Sequence, residues 1–270
     1  MINVTMWNEC RHEVEDEEVA EVYPETIGGC IVNMLEPYGF NLRSVTLDDE
    51  HQGLSDELIA HTDVLIWWGH RYHDEVSDQL VDKLQKRVLE GMGLIVLHSG
   101  HHAKIFKRLL GTSCNLSWRE AEGGERERLW CLKPSHPIAA GIPPHIELPE
   151  SEMYGEPFDI PDPDELIFNS WYQGGEVLRS GCTFTRGRGK IFFFSPGHET
   201  FPIFRNEHII RIIANAIKWS NQAHQDGWFF ENWGRPEPLE KGAPRQTYFK
   251  KPRKLMVAEK LAAKNAKNTK

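Results

Sequence analysis

The sequence has no Cys-x-x-Cys pair, no apolar run approaching the ~20 residues of a bilayer span and no glycine-rich phosphate loop. Each absence removes a class of function. The five cysteines, Cys10, Cys30, Cys114, Cys131 and Cys182, are odd in number and widely spaced, so a zinc ribbon or a redox pair is excluded and mostly buried, reduced thiols are expected. Residues 1–18 lack a basic start followed by an apolar run, and Glu9, Glu13, Glu15, Asp16, Glu17 and Glu18 would defeat an export signal; no membrane association and a cytoplasmic location are expected. Neither G-x-x-x-x-G-K-[ST] nor a G-x-G-x-x-G after the first strand occurs, and the acids from Glu13 to Glu18 would repel a phosphate. No nucleotide or flavin cofactor is therefore expected.

What is present is enough apolar material for one elaborated domain: 270 residues, 40% of them hydrophobic. Charge is uneven. Residues 241–270 carry ten lysines and arginines against the single acid Glu259, a net of +9, which leaves −18 on residues 1–240 out of a total of −9. So acidic a body argues against a polyanionic substrate. No aromatics alternate with the lysines of the tail, so no nucleic-acid partner is expected; a solvated helix, around Met256–Lys267, or an arm packed on an acidic neighbouring subunit fits better, and a homo-oligomer is expected.

Hydrophobic patterning predicts strands at Ile2–Trp7, Leu42–Leu47, Asp63–Trp68 and Leu94–Leu97, with helices within Pro24–Tyr38, from Ser55, and over Glu75–Glu90 capped by Asp74. This alternation predicts an α/β fold, a flavodoxin-like doubly wound, mostly parallel sheet with helices on both faces. Residues 112–165, rich in Pro, Gly and acids, read as loops and insertions over the strand ends, with short strands near Leu129–Leu132 and His145–Leu148. Strands at Leu166–Tyr172, Cys182–Thr185 and Ile191–Phe194 and a helix at Asn206–Trp219 follow. Within the insertion, Arg119 is expected to pair with Glu120, and Glu125-Arg126-Glu127-Arg128 reads as a solvated edge.

In open α/β sheets ligands bind beyond the strand ends. Four segments there carry His or Glu: Trp7-Asn8-Glu9, Gly69-His70-Arg71-Tyr72-His73, His98-Ser99-Gly100-His101-His102 and Gly197-His198-Glu199. Their convergence predicts a site. His98, His198 and Glu199 are the candidate catalytic residues, with Glu199 orienting His198. Glu9, His70, His73, His101, Glu152 and Tyr154 are candidate substrate contacts. His70, His98 and His198 could also hold a divalent metal, zinc or similar, since catalytic zinc uses about three protein ligands and water. Trp67 and Trp171 read as core.

The strand-to-turn segment Gly93–His101 resembles the nucleophile elbow of class I glutamine amidotransferases, but His98 stands where their cysteine does, so glutaminase chemistry is not expected. Over residues 1–235 the chain resembles the ThuA-like, or trehalose-utilisation, family. The resemblance rests on Trp67-Trp68-Gly69-His70, Leu97-His98-Ser99-Gly100, His136-Pro137-Ile138, Glu152-Met153-Tyr154-Gly155-Glu156-Pro157 and Ser195-Pro196-Gly197-His198-Glu199. It implies an amidotransferase-type fold and a role in carbohydrate catabolism with a disaccharide or keto-sugar as substrate. The alternative is a non-catalytic sugar-binding or accessory subunit of a sugar-oxidation pathway. Residues 236–270 form a basic extension beyond the resemblance.

Overall fold

Strands and helices alternate through the first part of the chain in the computed structural model, which describes residues 1–222. They run Asn3–Asn8 (β1), His12–Glu15 (α1), Glu17–Val22 (α2), Thr26–Leu35 (α3), Asn41–Thr46 (β2), Asp56–His61 (α4), Val64–Trp68 (β3), Asp78–Glu90 (α5), Gly93–Leu97 (β4) and Lys104–Leu110 (α6). Strands then dominate: Ser117–Arg119 (β5), Glu125–Cys131 (β6), His145–Ser151 (β7), Met153–Gly155 (β8), Glu165–Tyr172 (β9), Val177–Arg186 (β10) and Gly189–Phe194 (β11), before the helix Glu207–Ser220 (α7). The expected helix at Met256–Lys267 and the boundary after residue 235 lie outside the described residues.

Among the described residues nine strands form one sheet in the order β2-β1-β3-β4-β11-β10-β9-β6-β7. The first five are mutually parallel and the remaining pairings antiparallel. The parallel half has the flavodoxin-like order, whose reversal between β1 and β3 opens a crevice beyond their C-terminal ends. Period-two alternation builds a core on each face. Val4, Met6, Ile66, Trp68, Ile95, Leu97, Phe192 and Phe194 meet α3 and α7, while Trp7, Leu65, Trp67, Leu94, Val96, Ile191 and Phe193 meet α5 and α6. All five cysteines are free. No helix among the described residues is long and apolar enough to cross a membrane.

The middle of the chain departs from expectation. Rather than looping over the sheet, β6 pairs antiparallel with β9 and β7 with β6, extending it, while β5 and β8 form a separate ribbon. The Glu125–Arg128 segment is not a solvated edge. Alternate side chains of a strand take opposite faces, so Arg126 and Arg128 lie on the Trp171 ring while Glu127 is fully buried, accepting hydrogen bonds from the hydroxyls of Ser151 (2.8 Å) and Ser170. Arg119 pairs with Glu125 and Glu176 rather than with Glu120, because β5 carries it across to them.

The helix expected from Asp74 also starts later. Val76 is extended, and the Ser77 hydroxyl accepts the Leu80 N–H, capping α5. Replacing Ser77 by Ala should therefore lower stability by about 1 kcal/mol in urea unfolding, with Asp74→Ala changing it by less than about 0.5 kcal/mol. The reverse order would restore Asp74 as the cap.

Candidate active site

Two carboxylates build the frame. Glu9, directly after β1, accepts the backbone N–H groups of His70 (2.7 Å), Arg71 (2.9 Å) and Tyr72 (3.0 Å). Sequence reasoning makes Glu9 a substrate contact; buried and satisfied by three amides, it instead clamps the loop that carries His70. Glu13 accepts from the Asn8 amide (2.8 Å) and from the Ile27 N–H at the start of α3 (3.1 Å), which fixes α1 and, with it, His12.

Beyond β4 the chain turns sharply at His98, whose φ of 44° lies in the left-handed region that residues with a Cβ rarely adopt. Gly197, after β11, passes so close that a Cβ there would stand 3.0 Å from the Cβ of His98 and 2.8 Å from Phe204, so only glycine fits. His98 Nδ1 donates to the Ser195 carbonyl (2.8 Å) and Nε2 to Glu152 Oε2 (3.0 Å). Both nitrogens face acceptors, an arrangement that suits the imidazolium. Burial opposes that charge, but the hydrogen bond and charge of Glu152 outweigh it and raise the His98 pKa. The ring stacks on Tyr154 (4.3 Å between centroids) and parallel to Trp68 (5.7 Å). Burial and Glu152 push the Tyr154 hydroxyl well above its ordinary value, so it stays a proton-bearing donor.

His198 is the opposite case. Its Nδ1 accepts the Thr200 N–H (3.0 Å), which places the proton of the neutral ring on Nε2, 3.6 Å from Glu152 Oε2. Burial, reinforced by His98 and His70, takes it down to about 2. Glu199 does not orient His198: it lies 3.9 Å from Nδ1, where Thr200 already stands. Instead it faces a second pair of imidazoles. His12 Nδ1 and His70 Nδ1 are 2.9 Å apart, and Glu199 Oε1 is 3.6 Å from His12 Nδ1 and 3.4 Å from His70 Nε2. Burial raises Glu199 to about 7 and, with His12 close by, lowers His70 to about 3.

These groups surround a cleft of about 460 Å³. Of the residues expected there, His70, His101, Glu152, Tyr154, His198 and Glu199 line it. His98 lies beneath, 2% exposed, reaching the cleft through Glu152. His73 stands back in the turn before α5, its Nε2 buried without a partner, and burial with His102 lowers it to about 4. His101 lines the cleft but spends Nδ1 on the Cys114 carbonyl (2.7 Å), and burial takes it to about 2. The expected metal set is divided: His70 gathers with His12 and Glu199, and His98 and His198 with Glu152. His12 is absent from the sequence-derived list because it opens an acid-rich run that reads as solvent-facing; its place just after β1 was the available signal. Trp118, 64% exposed on β5, lines the cleft. A larger hollow, about 560 Å³, opens beside Asn3, Arg43 and His61 and holds none of the clustered groups.

A family profile described as ThuA, trehalose utilisation, matches residues 3–220. No curated protein matches the chain. Among solved structures, a ThuA-like protein of Parabacteroides merdae shares 14% identity at a TM-score of 0.59, covering 82% of this chain and 90% of its own. A ThuA-like protein of Bacteroides uniformis shares 14% at 0.56, over 81% and 90%. A cytoplasmic protein of Salmonella typhimurium LT2 shares 10% at 0.57, over 82% and 100%. At such identities the likeness shows the fold.

The depressed histidines fix the pH response. An unfolded chain protonates His101 and His198 near the ordinary value of about 6.5, whereas the folded protein resists until far lower pH; their contribution is complete above about 6.5 and falls as pH drops. His98 acts oppositely: its contribution is complete below about 6.5 and is lost as pH rises through its raised folded value. The unfolding free energy from urea titrations should decline below pH ~6.5, by up to about 1.4 kcal/mol per pH unit for each depressed imidazole, and His101→Asn should make the decline shallower. An unchanged slope in that variant would show that His101 is not held neutral.

Proposed function

The chain belongs to the ThuA family, described by its role in trehalose utilisation, and on that premise we propose that the cleft is the active site of an enzyme acting on a disaccharide or keto-sugar by proton transfer. The observation that carries this reading is Glu152, a carboxylate on the cleft wall approached by two imidazoles at one oxygen, Oε2. His98 below it is poised as imidazolium and His198 as a neutral N–H donor, so both hold Oε2 from the floor while the carboxylate itself takes a proton from substrate, becoming neutral, and later returns it. In this reading Glu152 takes a proton from a substrate hydroxyl or from carbon beside a keto group. Tyr154, held protonated, hydrogen-bonds the oxygen on which charge develops. The absence of a thiol at the elbow supports keeping glutaminase chemistry out of the mechanism. The exposed ring of Trp118 offers an apolar face to a sugar ring.

The acidic lining supports a neutral sugar over a phosphorylated one. Purified protein incubated with trehalose, related disaccharides and their keto derivatives in deuterated water should release products or exchange carbon-bound hydrogen, read by NMR. Glu152→Gln should reduce kcat about 100-fold or more with little change in KM, whereas Trp118→Ala should raise KM several-fold and spare kcat. Full activity in Glu152→Gln would overturn the assignment. Calorimetric binding of these sugars with neither turnover nor exchange would establish the accessory, sugar-binding reading instead.

A further inference from the structure

We propose that His12, His70 and Glu199 form a divalent-cation site of zinc type at the ends of β1, β3 and β11. It deepens the reading of the cleft as an active site, and its ligand set differs from the one the sequence suggests. Three donor groups from three separate turns of the chain converge there: the two Nδ1 atoms are 2.9 Å apart, and Glu199 Oε1 is 3.6 Å from His12 and 3.4 Å from His70. Around a tetrahedral ion with bonds of about 2.0–2.1 Å, donor atoms stand roughly 3.3 Å from one another. With one nitrogen taken from His70 the three donor atoms lie within 4.8 Å of one another, and rotation of the His70 ring decides which of its nitrogens closes the set.

The surroundings are those of a ligand set held in place from outside. Asp16 Oδ2 lies 3.6 Å from His12 Nε2, on the side away from His70, where an acceptor orients a ligating imidazole. Glu9 fixes the His70 backbone through three amides, and Glu13 fixes α1. A further observation points to a missing positive charge: Glu199 Oε2 is buried with no hydrogen-bond partner, in a residue 5% exposed that lines the cleft. A buried carboxylate oxygen without a donor is costly, and a cation in the group relieves it. Three protein ligands leave a coordination position open toward the cleft, as catalytic ions require.

The other group of potential ligands, His98, Glu152 and His198, is not equivalent. Thr200 donates to His198 Nδ1 and Ser195 accepts from His98 Nδ1, so the first ring carries its proton on Nε2, the atom that faces Glu152. An ion there would displace that proton from a ring with no other place for it. The two groups thus divide the work. Glu152 and its imidazoles handle protons, and the His12 group presents a Lewis acid that polarises a substrate hydroxyl or carbonyl oxygen.

The test is zinc chloride titrated by calorimetry into the full chain after chelator treatment, with thermal unfolding followed in parallel. One ion per chain should bind, raise the melting temperature and be removed by EDTA. His12→Ala, His70→Ala and Glu199→Gln should each weaken binding by roughly 100-fold or more, while His98→Gln and His198→Gln change it by less than about 3-fold. Circular dichroism and unfolding of each variant without metal separate lost ligands from lost fold, and visible absorption of the cobalt-loaded protein gives a second readout of imidazole ligation. Failure of zinc to bind the native chain, or binding that survives His12→Ala and His70→Ala, overturns the proposal. So does loss confined to His98→Gln and His198→Gln. Because binding is read without turnover, inactivity of the protein toward sugars leaves this test intact, and a dry site leaves the role of Glu152 to its own assay.

Discussion

The hydrogen bond from His98 to Glu152 joins residues 54 positions apart and holds the parallel half of the sheet to the antiparallel half. His98 comes from the turn after β4 and Glu152 from the corner between β7 and β8, so the bond forms only when the extension of the sheet has folded back over the strand ends. Both groups are nearly sealed from water, and separating either from its partner leaves a buried charge, a loss of about 3–5 kcal/mol. The desolvation is offset locally. Ser195 takes the second imidazole proton, and Tyr154 covers one face of the ring. The same contacts set the wall of the cleft, since Tyr154 lies two residues beyond Glu152 and its backbone pairs with β5. Stability and site geometry therefore rest on one interaction.

Buried carboxylates serve two purposes in this fold, and their donors distinguish them. Glu9 and Glu13 take backbone and amide N–H groups, and Glu127 takes hydroxyls. Such donors do not change protonation, so these three act as fixed braces. Glu152 and Glu199 face imidazoles, which do. In the proposed reading, proton chemistry falls to these two carboxylates at the strand ends, while the braces hold the loops still.

What was legible in the sequence follows the range of the forces involved. The buried runs Val64–Trp68 and Gly93–Leu97 and the helical spacing of α5 and α7 are local signals, and the doubly wound half followed from them. So did the list of strand-end residues, because a parallel sheet delivers every such turn to one edge. The roles were less legible. Whether Glu9 faces substrate or a neighbouring loop depends on where residues 70–72 run, and whether Glu127 is wet depends on β9 lying beside it. His12 was hidden in an acid-rich run of which Glu15, Glu17 and Glu18 face solvent, while His12 and Glu13 turn inward from the same short helix. Long-range pairing decides each of these, and no window of sequence contains it.

The balance of charge in the cleft limits what can react there. Asp16, Glu18, Glu120, Glu152 and Glu199 line it against Arg71 alone among lysines and arginines of the described residues. A phosphorylated or carboxylated sugar would meet net repulsion in a partly desolvated space where screening is weak. A neutral sugar would not, and its hydroxyls can donate to the very carboxylates that repel an anion. Excess negative charge that no basic side chain balances must be met by protons on imidazoles, by protons on carboxylates, or by a bound cation. Each is a mobile positive charge rather than a fixed one, which accords with the proposed transfer of protons on a neutral sugar.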